Sequence, residues 1–207
     1  MPTLSGGQAA VEALKAEDTK HVFGLIGSAT MEMFDALYDA KDINFIGVHD
    51  ERTGTHMADG YARASGEAGV ILAGQNGPGA TNLITGLSQA AAAFSPVVSI
   101  AGALSTQHVY RDAFQEVDII GITRPCVKHN FLVKSIEDLA PTIKKAFYIA
   151  STGRPGPVLI DIPKDITDGK EKCEFEYPEE VNIRSYNPNT RGNPRQIRLA
   201  ADAWLEA

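Results

Sequence analysis

Six short apolar runs, each followed by a stretch of helical character or a turn, constrain this chain more than any other feature in it. His21-Val22-Phe23-Gly24-Leu25, Phe45-Ile46-Gly47-Val48, Gly69-Val70-Ile71-Leu72-Ala73 and Pro96-Val97-Val98-Ser99-Ile100-Ala101 read as strands, as do Lys128 to Val133 and Val158-Leu159-Ile160-Asp161-Ile162. Several are apolar at successive rather than alternate positions, the pattern of strands covered on both faces. Between them, Ser5 can cap a helix carrying Ala9, Val11 and Leu14, and Met31, Phe34 and Leu37 give a second helix one apolar face. An alanine-rich helix is expected from Ala80 to Ala93, a short one from Val117 to Ile122, and a longer one from Ile136 to Ala150. Strands joined by helical crossovers predict an α/β fold: a doubly wound, mostly parallel six-stranded sheet with helices on both faces.

A length of 207 residues with 43% hydrophobic content suffices for one well-buried domain and part of a second element. The domain is expected over residues 1–167. Residues 168–193 are charged, hold Pro178 and Pro188 and lack periodicity, so they read as a linker. Residues 194–207 start with Pro194 and carry Leu199, Ala203 and Trp204 on one stripe, the expected first helix of a central domain absent from this chain.

Other functional classes are disfavoured by charge and cysteine usage. A formal net charge of −7 supplies no basic face, so neither nucleic acid nor an anionic membrane is an expected partner. Cys126 and Cys173 are far apart without metal-ligand spacing, which suits a reduced, cytoplasmic compartment. Met1 to Gly7 lack the charged-then-apolar pattern of a leader, and no apolar run approaches the ~20 residues of a membrane span.

The richest stretch for chemistry runs from Val48 to Ala64, where a strand feeds into a helix and places Glu51 at the strand end. In an open parallel sheet, the crevice beyond the carboxyl ends of the strands is where ligands bind. The alternative is a helix-initiating acid, since Asp50 or Glu51 in the first turn complements the helix dipole in any protein. Gly77-Pro78-Gly79-Ala80-Thr81-Asn82 follows a strand and opens a helix, but Asn82 stands where a dinucleotide fingerprint needs its third glycine. No Walker-type lysine follows, the five histidines show no helical ligand spacing, and no serine sits in a nucleophile elbow. His56, on the motif helix, is expected to be structural. Local chemistry therefore reaches a small-molecule-binding α/β domain with a carboxylate in its crevice, and no metal ligands.

Seven motifs taken together go further. Phe23 to Ala29, the Glu51 stretch ending in Asp59-Gly60-Tyr61-Ala62-Arg63-Ala64, Gly77 to Leu83, Ala113-Phe114-Gln115-Glu116, Gly121 to Pro125, Lys128 to Phe131 and Gly153 to Val158 resemble the N-terminal pyrimidine-binding domain of thiamine-diphosphate enzymes, and most of all the acetolactate synthase (acetohydroxyacid synthase) family. The likeness spans essentially the whole chain. It implies that the carboxyl matching Glu51 hydrogen-bonds a ring nitrogen of the cofactor's aminopyrimidine, favouring the imino form that removes the proton from the thiazolium carbon. A partly dry crevice would serve that role. Pro78 and Asn82 match positions beside the pyrimidine, Ile26 and Gly27 match the loop lining it, and Ser28, Phe114, Gln115 and Lys128 match positions toward the substrate. Lys128 reads equally well as an exposed lysine.

The resemblance also implies what lies outside the chain. The family holds the diphosphate and its magnesium through a Gly-Asp-Gly motif in a C-terminal domain, and that motif does not occur here. The intact enzyme is then at least a homodimer with its active site at the subunit interface; FAD is left open as a further cofactor. The implied substrate is a 2-keto acid, pyruvate, joined after decarboxylation to a second 2-keto acid. Several residues depart from that pattern: Leu25-Ile26-Gly27-Ser28 replaces an aromatic-Pro-Gly-Gly loop, Asp50 a histidine, Asn76 a small residue, and Tyr110-Arg111-Asp112 a Gly-Thr-Asp sequence. Ile26-Gly27-Ser28 and Gln75 to Gly79 look more like sulfoacetaldehyde acetyltransferase, whereas everything from Asp112 onward looks like acetolactate synthase. Arg111 could recognise a sulfonate or carboxylate if it points inward, and is otherwise a surface arginine. Outside catalysis, the alternative is a regulatory or scaffolding module that keeps the domain only as an interface.

Overall fold

A computed structural model describes residues 2–109 and 111–207; Met1 and the Tyr110 of the Tyr110-Arg111-Asp112 sequence lie outside the described residues. The chain opens with β1 (Thr3–Ser5) and helix α1 (Gly6–Ala16), where Ser5 and Gln8 exchange side-chain-to-backbone hydrogen bonds as a capping box. Next come β2 (His21–Leu25), α2 (Met31–Asp39), β3 (Asn44–Gly47), α3 (Glu51–Ser65) and β4 (Gly69–Ala73). The alanine-rich stretch expected as one helix is two, α4 (Pro78–Asn82) and α5 (Ile84–Ala93), jointed at Leu83. They are followed by β5 (Val97–Ala103), a 3-10 turn at Thr106–His108, α6 (Ile119–Thr123), β6 (His129–Leu132), α7 (Leu139–Ser151), β7 (Val158–Pro163) and α8 (Lys164–Thr167). The chain ends with β8 (Lys172–Glu174) and α9 (Pro194–Leu205).

The six expected strands form one sheet in the order β3-β2-β4-β5-β7-β6, every pairing parallel. Strands β4, β5 and β7 are buried at every residue, which explains why their sequences do not alternate with polar groups. Their side chains nevertheless alternate between two cores. Val70, Leu72, Val98, Ile100, Val158 and Ile160 pack on one face with Leu14 and Met33 of α1 and α2 and Ile143 of α7. Ile71, Ala73, Val97, Ala101 and Leu159 pack on the other with Ala58 of α3, Leu87 and Ala90 of α5 and Ile119 of α6.

From β2 the chain passes outward to β3 and then returns to the far side of β2 as β4. The order reverses between β2 and β4, so their carboxyl-end loops diverge and leave a crevice at the switch point. Residues 168–193, expected as a linker, are strapped to the domain: β8 pairs antiparallel with β1, and Phe175, Tyr177, Ile183 and Tyr186 pack against the first core. Helix α9 buries none of its residues.

Candidate active site

Glu51 is the first residue of α3. The helix begins there because the Asp50 side chain accepts from the Arg52 amide at 2.8 Å, while the Thr55 hydroxyl donates to the Glu51 carbonyl at 2.7 Å and secures the first turn. Both acids of the sequence reading thus have a place, with Asp50 as the cap and Glu51 directed inward. The Glu51 residue is only 3% exposed. Its Oε2 accepts from Asn82 Nδ2 at 3.0 Å, a contact that joins the start of α3 to the end of α4. A Cβ on Gly79 would stand 3.0 Å from Glu51 Oε1 and 3.2 Å from Gln75 Cβ, so the missing side chain keeps the space beside Oε1 open. Oε1 accepts no hydrogen bond among the described residues.

Two loops on the switch point form the adjoining wall. Gly27 and Gly74 meet backbone to backbone: a Cβ on Gly27 would come within 2.4 Å of the Gly74 carbonyl, and Ala29 N donates to Gly74 O at 3.0 Å. Gln75 fastens three loops. Its Oε1 accepts from the Ser28 amide (3.3 Å) and hydroxyl (2.9 Å), and its amide nitrogen donates to Gln115 Oε1 and to Asn76 Oδ1. Asn76 Nδ2 donates in turn to the carbonyls of Phe114 and Gln115 at 3.3 and 3.2 Å. Gly77 turns the chain at φ +56°, and a Cβ there would lie 2.2 Å from Gln115 O, so only glycine lets the two loops approach.

Glu51, Pro78, Asn82, Gly27, Ser28 and Gln115 therefore share the carboxyl end of the sheet. Ile26 is 63% and Phe114 82% exposed beside it. Lys128 is not brought there. It precedes β6, at the amino end of the sheet, where its ammonium donates to the carbonyls of Ile149 and Thr152 and to the Tyr186 hydroxyl and lies over the Tyr186 ring. Arg111 is exposed, with its backbone amide donating to Glu116 Oε2. No group of three or more His, Cys, Asp or Glu side chains among the described residues is arranged to hold a metal ion, and no described helix is long and apolar enough to cross a membrane.

Sequence reading gave Gln75 and Asn76 no such fastening role and did not single out Asp161. Asp161 near the end of β7 is 5% exposed, and its Oδ1 has no hydrogen-bond partner. It lines a small cavity of about 50 Å³ with Asn76, Gln115 and Asp118. Burial, and secondarily the Asp118 carboxylate, push its acid equilibrium up to about 7. The available signal was an acid inside an otherwise apolar strand.

Comparison with known proteins agrees with this geometry. Residues 4–122 match the family described as "Thiamine pyrophosphate enzyme, N-terminal TPP binding domain". The acetolactate synthase large subunit of Haemophilus influenzae is 48% identical over 207 residues, 100% of this chain and 36% of that protein. The Escherichia coli acetolactate synthase isozyme 3 large subunit is 46% identical over 207 residues, again 100% and 36%. A probable acetolactate synthase large subunit of Methanocaldococcus jannaschii is 46% identical over 205 residues, 99% of this chain and 34% of that protein. The chain spans about a third of the length of the relatives it matches.

Proposed function

The chain belongs to the thiamine pyrophosphate enzyme family through the N-terminal TPP binding domain, and we propose that it supplies the pyrimidine-binding half of an acetolactate synthase-like active site. The observation that carries this reading is Glu51: a nearly buried carboxyl at the sheet's switch point, with one oxygen held by Asn82 and the other directed at space that Gly79 leaves open. That opening fits a flat ring carrying a nitrogen to be protonated. A noncatalytic interface module would have no use for it.

In this role Glu51 shares a proton with the pyrimidine ring nitrogen, and exclusion of water keeps that proton from being lost to solvent. Asn82 fixes the carboxyl's orientation; Ile26, Gly27 and Pro78 line the ring's berth. When bound, thiamine diphosphate supplies the nucleophilic carbon and the electron sink for decarboxylating a 2-keto acid. Ser28, Phe114 and Gln115 lie toward the substrate, whereas Lys128 is left out of the proposal because its ammonium is occupied at the other end of the sheet. Magnesium is held by residues outside this chain, and FAD stays open. Exposed Ile26, Met31, Met57 and Phe114 support a second copy covering the crevice, giving a homodimer or larger assembly in the cytoplasm. The uncovered Ile197, Leu199, Trp204 and Leu205 of α9 support a further domain that begins at residue 194, after a strap at 168–193.

One observation favours a second reading of the substrates. Ser28 and Gln75, which belong to the two stretches that look more like sulfoacetaldehyde acetyltransferase, bond to each other across the crevice wall. A sulfoacetaldehyde acetyltransferase-like activity is the alternative. The deciding assay gives the full-length protein thiamine diphosphate, magnesium and pyruvate, or sulfoacetaldehyde with phosphate, and compares wild type with Glu51→Gln. Acetolactate formed by wild type and lost in the variant supports the synthase; acetyl phosphate formed only from sulfoacetaldehyde moves the assignment. Absence of turnover with every substrate would leave the interface module standing.

A further inference from the structure

A second cleft, of about 450 Å³, lies at the amino end of β6, the opposite end of the sheet from Glu51. Lys145 of α7, Arg184 of the strap and Lys128 before β6 all line it. Neither Lys145 nor Arg184 forms an ion pair among the described residues. Lys128 is bound only by carbonyl and hydroxyl oxygens, so its charge is not cancelled by an acid. No carboxylate lines the cleft, in a chain that carries 26 acidic residues against 19 lysines and arginines. The cations are therefore concentrated where the surrounding acids are not, which raises the local potential for an anion.

The remaining lining combines aromatic and aliphatic side chains with the polar Asn182 and Ser185. Tyr186, Phe131 and His129 present rings, with His129 and Phe131 edge to face at 4.4 Å between centroids. Ile149 and Ile183 supply aliphatic surface. Burial lowers the His129 acid equilibrium, so its imidazole is a neutral aromatic surface at physiological pH. A cleft of this volume with ring-faced walls and a few convergent cations has the form of a small-molecule site. Guanidinium and ammonium groups without carboxylates beside them suit phosphate, and the rings suit a flat heterocycle.

We propose that this cleft binds a mononucleotide-sized phosphorylated ligand at a site separate from the Glu51 crevice. The site does not depend on the assignment of the reaction, because it shares no residue with the crevice. Calorimetry of the full-length protein, saturated with thiamine diphosphate and magnesium, with AMP as the probe tests it; adenosine and inorganic phosphate are titrated in parallel. AMP is expected to bind saturably, to weaken as salt is added, and to bind at least about tenfold more tightly than either fragment. The double variant Lys145→Ala, Arg184→Ala, with unchanged circular dichroism, is expected to lose about tenfold or more in AMP affinity. No saturable AMP binding, equal binding by the double variant, or phosphate binding as tightly as AMP would each overturn the proposal. So would competition between AMP and thiamine diphosphate, which would locate the nucleotide in the cofactor's own site.

Discussion

Replacing Asp161 with asparagine changes the charge of a buried acid near the end of β7, one oxygen of which has no hydrogen-bond partner, while keeping its shape. The folded carboxyl holds its proton to about pH 7, whereas an unfolded aspartate releases it near ~3.9. Between those values the folded state binds more protons than the unfolded chain. The associated stability is therefore complete below about pH 4 and is lost progressively as pH rises through 7. A displacement of about three pK units at ~1.36 kcal/mol each amounts to roughly 4 kcal/mol in all. About 2 to 3 kcal/mol of it falls between pH 5 and 8. Wild type should lose that much relative to Asp161→Asn over this range in urea denaturation at pH 5, 6, 7 and 8. Taking the difference cancels the titrating groups that are not coupled to Asp161, and any constant effect of the new amide. Parallel pH profiles for the two proteins would show that Asp161 is ionised without cost, and would refute the argument from its burial and missing partner.

Three other substitutions test the crevice and its supports. Gly77→Ala places a Cβ 2.2 Å from Gln115 O at a positive φ, so it should cost about 2 kcal/mol or more in stability and loosen the loop at residues 112–116, read by hydrogen exchange. Gly79→Ala crowds Glu51 Oε1 at 3.0 Å with little backbone penalty inside a helix; thiamine diphosphate affinity of the full-length protein should fall at least about tenfold, while the thermal midpoint moves by only a few degrees. Lys128→Met removes the ammonium that gathers the carbonyls at the end of α7; stability should drop by about 1 to 3 kcal/mol, with the KM for pyruvate unchanged, whereas a raised KM at unchanged stability would return Lys128 to the substrate path.

The sheet was legible because its strands are local signals. Val158 to Ile162 is an apolar run closed by Gly156-Pro157 on one side and Pro163 on the other, and the strand occupies Val158–Pro163. Glu51 was legible for the same reason, since a strand that feeds directly into a capped helix leaves its first helical residue at the carboxyl edge. What depends on distant partners was not. Strand β8 exists only by pairing Lys172–Glu174 with Thr3–Ser5, more than 160 residues earlier in the chain, and nothing in its own sequence marks it. The Ser28–Gln75–Gln115 fastening also arises from tertiary contact. Lys128 looked like a crevice residue because its neighbours match a family motif; its position before β6 sends it to the amino end, where the carbonyls of α7 take up its ammonium.

The central claim is that Glu51 handles a proton for the cofactor. The rate at which the thiazolium-carbon proton of bound thiamine diphosphate exchanges with deuterium, followed by quenched-flow NMR on the full-length protein, measures this directly. With Glu51 in place the exchange should be faster than in Glu51→Gln by roughly 10² to 10⁴. Equal rates in the two proteins, with the cofactor bound in both, would contradict it.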